Sequence, residues 1–314
     1  MRGRRRSAPP LICISWYTTT IPNHTLATDT KRWTVVEMLR WTTEYLAGKG
    51  FHNARLNAEL LLAGMLGLKR LDLYLQHDRP LTPEELDGYR DRLRRRARRE
   101  PLQYIDGTAA FRDLVLKVDR RVLIPRPETE RLVQAVLDWA AGRADLHAVD
   151  VGTGSGAIAL ALATEGPFSR VVATDVSADA LGLARENHRH AAPDAPVEFC
   201  HGDLLGPLGD QAVDVVVSNP PYIGDEEAPT LDAEVRDWEP GGALFAGQGG
   251  LDVIRRLVPG AAKVLRPGGL LALEMGEKQG AAVCALIDET NAFGVPRVRP
   301  DLAGRDRIVL AERR

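Results

Sequence analysis

Asn219-Pro220-Pro221-Tyr222 follows directly on Val213 to Ser218, an apolar run that reads as a buried strand. Two consecutive prolines stiffen the backbone there, so the Asn219 side-chain oxygen and the Pro220 carbonyl can point at one fixed spot. Two acceptors held together suit a nitrogen that carries two N–H bonds. When such a nitrogen is conjugated to a carbonyl or an aromatic ring, its lone pair is delocalised and it attacks poorly. Gripping both N–H bonds orients the lone pair toward an electrophile and stabilises charge as it develops. Tyr222 would add a flat wall for a planar group. Taken alone, a strand-to-loop turn with two prolines is also ordinary structure.

Upstream, Ala148 to Val151 runs into Gly152-Thr153-Gly154-Ser155-Gly156 and then a stretch rich in Ala and Leu. Glycines at a strand end let backbone approach a ligand closely, and a helix start offers unpaired N–H groups with partial positive charge. The loop is therefore a nucleotide cradle. Asp175 ends the next strand, 19 residues beyond Gly156, where a carboxylate can accept both hydroxyl protons of a ribose. So far a dehydrogenase fits as well, since Gly152, Gly154 and Ala157 match a dinucleotide fingerprint. Asp203, followed by Leu204, lies just after the third strand, where a methyltransferase would hold an adenine amino group; an ordinary turn aspartate is the plain alternative. On the methyltransferase reading nothing in the pattern calls for a metal or a covalent nucleophile, because an activated methyl donor would leave the acceleration to positioning and desolvation.

The elements that must position these residues alternate. Strands are expected at Ala148–Val151, Arg170–Thr174, Val197–Cys200, Val213–Ser218, Gly269–Met275, Val295–Pro300 and Arg307–Ala311, with helices between most of them. Alternation of this kind predicts an α/β fold: a doubly wound, seven-stranded, mostly parallel sheet. The last two strands are joined through 301–304 without room for a helix and should form a hairpin. In front, apolar residues from Val35 to Arg99 recur at helical spacing, with turn signals at Gly48–Gly50 and Pro80–Pro83. A small N-terminal helical bundle follows. The expected division is an unstructured extension over 1–32, a helical recognition domain over 33–100, a linker hairpin over 101–126 and a catalytic domain over 127–314.

The chain has 314 residues with 44% hydrophobic and 27% charged, and no apolar run approaches the roughly 18–20 residues that cross a bilayer. Cys13, Cys200 and Cys284 lie far apart, so neither a disulfide framework nor a zinc cluster is suggested, and a reducing compartment fits. Residues 1–100 carry a net +8 and the remainder −10. A basic front could meet an acidic partner; a solvated helical face reads equally well. The same two readings apply to the seven arginines between Arg90 and Arg99. Arg2, Arg4, Arg5 and Arg6 open a segment without an acidic residue before Asp29, which suggests an over-extended start and a cytoplasmic protein, or else a mitochondrial transit peptide.

The combination resembles the N(5)-glutamine methyltransferases of peptide chain release factors. The resemblance spans about 34–314 and rests on the helical front, Ile124-Pro125-Arg126-Pro127-Glu128-Thr129-Glu130, Val149 to Gly156, and Asn219 to Tyr222. It implies that Gly152, Thr153, Gly154, Ser155, Gly156, Asp175, Asp203, Leu204 and Asn219 line a site for S-adenosyl-L-methionine, leaving S-adenosyl-L-homocysteine as product. It implies that Asn219, Pro220, Pro221 and Tyr222 hold the glutamine amide of a Gly-Gly-Gln loop. Phe111 falls where the family places an aromatic near that pocket, or is simply a core residue of the hairpin. Release factors are the implied partners, with no membrane and no direct nucleic-acid substrate. Two readings compete: a methyltransferase acting on an exocyclic amine of an RNA or DNA base, and a silent module that keeps the fold and only docks.

Overall fold

The computed structural model describes residues 32–314; the extension expected before them lies outside the described residues apart from Arg32. Helix α1 (Val35–Gly48) starts at a capping box, with Thr34 accepting from the Glu37 N–H and Glu37 bonding back to Thr34. It packs with α2 (Ala54–Leu66) and α4 (Pro83–Ala97), and α4 carries a second capping box from Thr82 and Glu85. A short α3 (Asp72–Leu75) lies between them, because Gly67, in the left-handed region at φ 65°, stops α2 before the proline turn that the sequence advertises. Val35, Leu39, Leu46, Leu61, Leu62, Leu73 and Tyr89 fill this small core.

The seven arginines of α4 and the turn after it are neither a plain solvated face nor a plain docking surface. Arg96 is 3% exposed and donates to Asn57, to the Glu100 carbonyl and to Glu234, while lying over the Phe51 ring. Arg95 grips Glu100 with two nitrogens, Arg92 pairs with Asp106, and Arg99 also lies over the Phe51 ring. Four of the seven therefore fasten the bundle, because a guanidinium fork can satisfy several buried acceptors at once.

A short helix that the sequence did not advertise, α5 (Leu102–Asp106), leads into the hairpin β1 (Thr108–Phe111) and β2 (Leu114–Lys117). Helix α6 (Pro127–Ala140) follows, then β3 (Leu146–Val151), α7 (Ala157–Glu165), β4 (Phe168–Asp175), α8 (Ala178–Ala191), β5 (Val197–His201) and β6 (Val213–Ser218). After a long segment containing α9 (Ala233–Arg236) come α10 (Asp252–Val264), β7 (Leu265–Glu274), α11 (Gly280–Glu289), β8 (Arg297–Pro300) and β9 (Asp306–Glu312). The sheet order is β5-β4-β3-β6-β7-β9-β8, parallel through β7 and antiparallel at β9 and β8.

Strand alternation sorts the core into two layers. Ala148, Val171, Val215, Val217, Leu270 and Leu310 face α6 and α7, whereas Val149, Val151, Val216, Leu271, Leu273 and Val309 face α10 and α11. From β3 the chain runs outward to β5 and then returns to β6 on the other side of β3. That reversal places a crevice at the carboxyl ends of β3 and β6. No helix of the described residues is long and apolar enough to cross a membrane.

Candidate active site

The crevice is a cavity of about 550 Å³, lined by the loop after β3, the ends of β4 and β6, the segment before α6 and the start of α10. Gly152, Thr153, Gly154, Ser155, Asp175, Asp203, Leu204, Asn219, Pro220 and Pro221 all face it. Gly156 is absent from the lining; at φ 84° it caps α7, with Ala184 behind it. Gly152 and Gly154 adopt φ 73° and 54°, and a methyl group on either would meet no protein atom within 4 Å. They bring bare backbone to the edge of open space, as a ligand cradle requires.

Asp175 is held at both oxygens: Gly154 N–H donates to Oδ2 at 2.9 Å and Ser177 N–H to Oδ1 at 2.8 Å. Each oxygen keeps a further lone pair for hydroxyl donors. Beneath the loop, Asp150 accepts at Oδ2 from Thr153 Oγ1 at 2.6 Å and from Ala159 N–H at 3.1 Å, while Oδ1 has no partner. Complete burial pushes its carboxyl up to about 7. Asp203 forms an ion pair with Arg256 at the cavity mouth. Leu204 takes φ 50°, a strained value for leucine, and its carbonyl accepts from Thr174 Oγ1 at 2.9 Å.

Asn219 is placed by two residues whose roles the sequence did not reveal. Its Nδ2 donates to Thr129 Oγ1 at 3.0 Å, and Thr129 Oγ1 donates to Glu274 Oε2 at 2.7 Å. The nitrogen end of the amide is thus occupied, while Oδ1 has no hydrogen bond to any described residue. Tyr222 Oη lies 3.3 Å from Glu274 Oε1, and the Tyr222 carbonyl accepts from Gln279 Nε2 at 2.8 Å. Desolvation, followed by the Glu274 charge, raises the Tyr222 phenol. Tyr222 is thereby anchored behind the cavity lining rather than standing in it as an open wall. Thr129 does lie in the recognisable Ile124–Glu130 segment, but a threonine in a first helical turn carries no signal of a distant partner. Glu274 follows four apolar strand residues and carries none either.

Phe111 does not reach the cavity. It is 0% exposed in the core layer with Leu114, Leu116 and Leu132, because hairpin alternation turns it inward with Ala109. This corrects its assignment to the substrate pocket. Arg112, next in sequence, turns away to Glu165 and Gln134. What the hairpin does contribute is Asn187's docking point: the Asn187 side chain accepts from Lys117 N–H at 2.7 Å and donates to the Ser155 carbonyl at 2.9 Å, tying β2 to the glycine loop.

A doubly wound seven-stranded sheet with one terminal antiparallel hairpin, a glycine loop after β3 and an Asn-Pro-Pro-Tyr turn after β6 defines a class I S-adenosylmethionine-dependent methyltransferase. Two family models match in tandem, the PrmC N-terminal domain over residues 37–107 and the methyltransferase small domain over 129–234. The chain is 45% identical over 278 residues to a release factor glutamine methyltransferase of Geobacter sulfurreducens, covering 88% of this chain and 96% of that one. Proteins of the same name from Moorella thermoacetica and Chlorobaculum tepidum are 46% and 42% identical, covering 86% and 89% of this chain and 95% and 97% of theirs. The chain belongs to the release factor glutamine methyltransferase family.

Proposed function

We propose that this protein transfers the methyl group of S-adenosyl-L-methionine to the side-chain amide nitrogen of the glutamine in the Gly-Gly-Gln loop of peptide chain release factors. The observation that carries this reading is the fixed Asn219 amide: its nitrogen is tied to Thr129 and its oxygen is left as an acceptor beside the cavity. No described residue donates to the Pro220 carbonyl, the second acceptor. Together they match the two N–H bonds of a primary amide.

The cavity fits the cofactor. Open space over Gly152 and Gly154 accommodates a ligand against backbone, Asp175 keeps lone pairs for the ribose hydroxyls, and Asp203 with Leu204, both in the lining, would hold the adenine. When bound, the cofactor supplies an electrophilic methyl group on a sulfonium. Asn219 and Pro220 hold the two amide protons, turn the nitrogen lone pair toward the cofactor side of the cavity, and stabilise positive charge as it grows on that nitrogen. Pro221 and the apolar part of the lining offer water few partners beside the amide, and bound cofactor and substrate would displace what remains and so strengthen both hydrogen bonds. Tyr222 holds the turn in place from behind through Glu274. The helical front, including residues 37–107, serves to recognise the protein substrate, and residues 127–314 carry the catalysis.

Incubation with labelled S-adenosyl-L-methionine, a purified unmodified release factor and total RNA tests the reading, with Asn219→Ala as control. Label on the factor, mapped to the loop glutamine and lost in the variant, is the expected result. Label on RNA alone would replace it with base methylation, the other chemistry that two acceptors could serve.

A further inference from the structure

We propose that Glu274 and Thr129 are positioning residues for the transfer: an ionised Glu274 fixes the direction of a hydrogen-bond chain and so keeps the Asn219 oxygen turned toward the substrate amide. This rests on the functional reading above.

The argument is one of hydrogen-bond polarity. A threonine hydroxyl has a single proton to donate. Glu274 without a proton can only accept, so the Thr129 proton must point at Oε2, 2.7 Å away. The hydroxyl oxygen then faces Asn219 as an acceptor, and only the NH2 end of Asn219 can meet it, at 3.0 Å. Oδ1 is consequently presented at the opposite end. A protonated Glu274 removes the constraint: its O–H can donate to Thr129, the Thr129 proton can turn to Asn219, and the Asn219 amide can reverse. The reversed amide sets N–H against the N–H of the substrate, where an acceptor is required.

The same carboxylate holds both ends of the Asn-Pro-Pro-Tyr turn, Asn219 through Thr129 at Oε2 and Tyr222 directly at Oε1. Three elements therefore meet on one buried side chain: the first turn of α6, the end of β7 and the loop after β6. Glu274 is 1% exposed. Burial pushes its carboxyl up to about 7; Thr129, Arg307 from β9 and Tyr222 oppose that rise, and Glu128 on α6 adds slightly to it. Ionisation thus falls in the range where an assay can follow it.

The test measures kcat and KM for an unmodified release factor at saturating S-adenosyl-L-methionine from pH 6 to 8.5, with cofactor affinity measured separately by calorimetry. Saturation separates Glu274 from Asp150, whose titration beneath the cofactor loop would act on cofactor binding. In the wild-type protein kcat should rise as pH passes through about 7. Thr129→Val should lower kcat on the order of tenfold and flatten the profile, with cofactor Kd within about twofold. Thr129→Ser, which keeps the hydroxyl, should restore both. Glu274→Gln should flatten the profile like Thr129→Val. A Thr129→Val enzyme with wild-type kcat and profile overturns the inference, as does a Thr129→Ser enzyme no better than Thr129→Val. Should Thr129→Val fail to fold, a flat wild-type profile overturns it without any variant. A wild-type protein that leaves the release factor unlabelled at every pH overturns the functional reading and this inference with it, whereas wild-type turnover with indifferent variants overturns the inference alone.

Discussion

Gly154 N–H donates to Asp175 Oδ2 at 2.9 Å, so the glycine loop after β3 and the acidic end of β4 form one unit before any ligand arrives. Ser177 N–H occupies the other oxygen. A neutral amide at this position would turn an NH2 group against one of those two donors. Asp175→Asn should therefore weaken S-adenosyl-L-methionine binding by about 10- to 100-fold, the size expected for losing hydrogen bonds to a charged acceptor. Titration calorimetry on the folded variant decides it, and an unchanged Kd would remove Asp175 from the cofactor site.

Gly154→Ala separates backbone strain from ligand space. The left-handed φ of 54° should cost about 1–2 kcal/mol of stability for a residue with a Cβ. No protein atom lies within 4 Å of the added methyl, so the fold itself should survive. Cofactor affinity should fall by much more than the lost stability suggests, because the methyl enters the cavity. A variant that is mildly destabilised and binds normally would show that the loop does not touch the ligand.

Asp150 links the site to stability. Its carboxyl is pushed up to about 7 when folded, above the ordinary value of 3.8 in the unfolded chain. Between those two values the folded state binds more protons, so the Asp150 contribution becomes progressively less favourable as pH rises and is fully unfavourable above about 7. Asp150→Asn cannot ionise. Its stability relative to wild type should therefore improve from pH 5 to pH 8, by a few kcal/mol at most at about 1.4 kcal/mol per pKa unit. Urea unfolding at several pH values follows the difference, and a constant gap would mean that Asp150 does not titrate in this range.

Sheet and cofactor loop were legible because both depend on local signals. Apolar strand runs, glycines of positive φ and the paired prolines after Ser218 announce themselves within a few residues, and their place in the doubly wound order follows from alternation. The support behind Asn219 was not legible. Thr129 and Glu274 are 145 residues apart, and nothing in either neighbourhood distinguishes a relay from a helix start or a strand end. Phe111 misled for a related reason: an aromatic in a short hairpin suits a pocket or a core equally, and only the register of β1 with β2 decides. Arg96 shows the same limit among the basic residues, since its spacing in α4 is that of a solvated charge while its partners come from α2 and α9.

Arg96 joins the bundle to the segment that follows the substrate grip. Its guanidinium reaches Glu234 on α9 at 2.6 Å, Asn57 on α2 at 2.6 Å and the Glu100 carbonyl at 2.7 Å, all with a side chain 4% exposed. Nearby, Trp238 donates to the Arg98 carbonyl at 3.3 Å and carries Arg120 over its ring at 4.0 Å. A lysine cannot span three acceptors in this planar arrangement, and two of those it would leave, on Asn57 and Glu100, belong to buried residues, while Glu234 is partly exposed. Arg96→Lys should therefore cost about 1–3 kcal/mol of stability. Glu234→Gln keeps a hydrogen-bonding oxygen and should cost less, about 1 kcal/mol. Because α9 follows Asn219 to Tyr222 in the chain, Glu234→Gln should raise KM for the protein substrate while leaving cofactor Kd unchanged. Equal effects on both constants would instead mean that the contact supports the whole catalytic fold and has no separate bearing on substrate recognition.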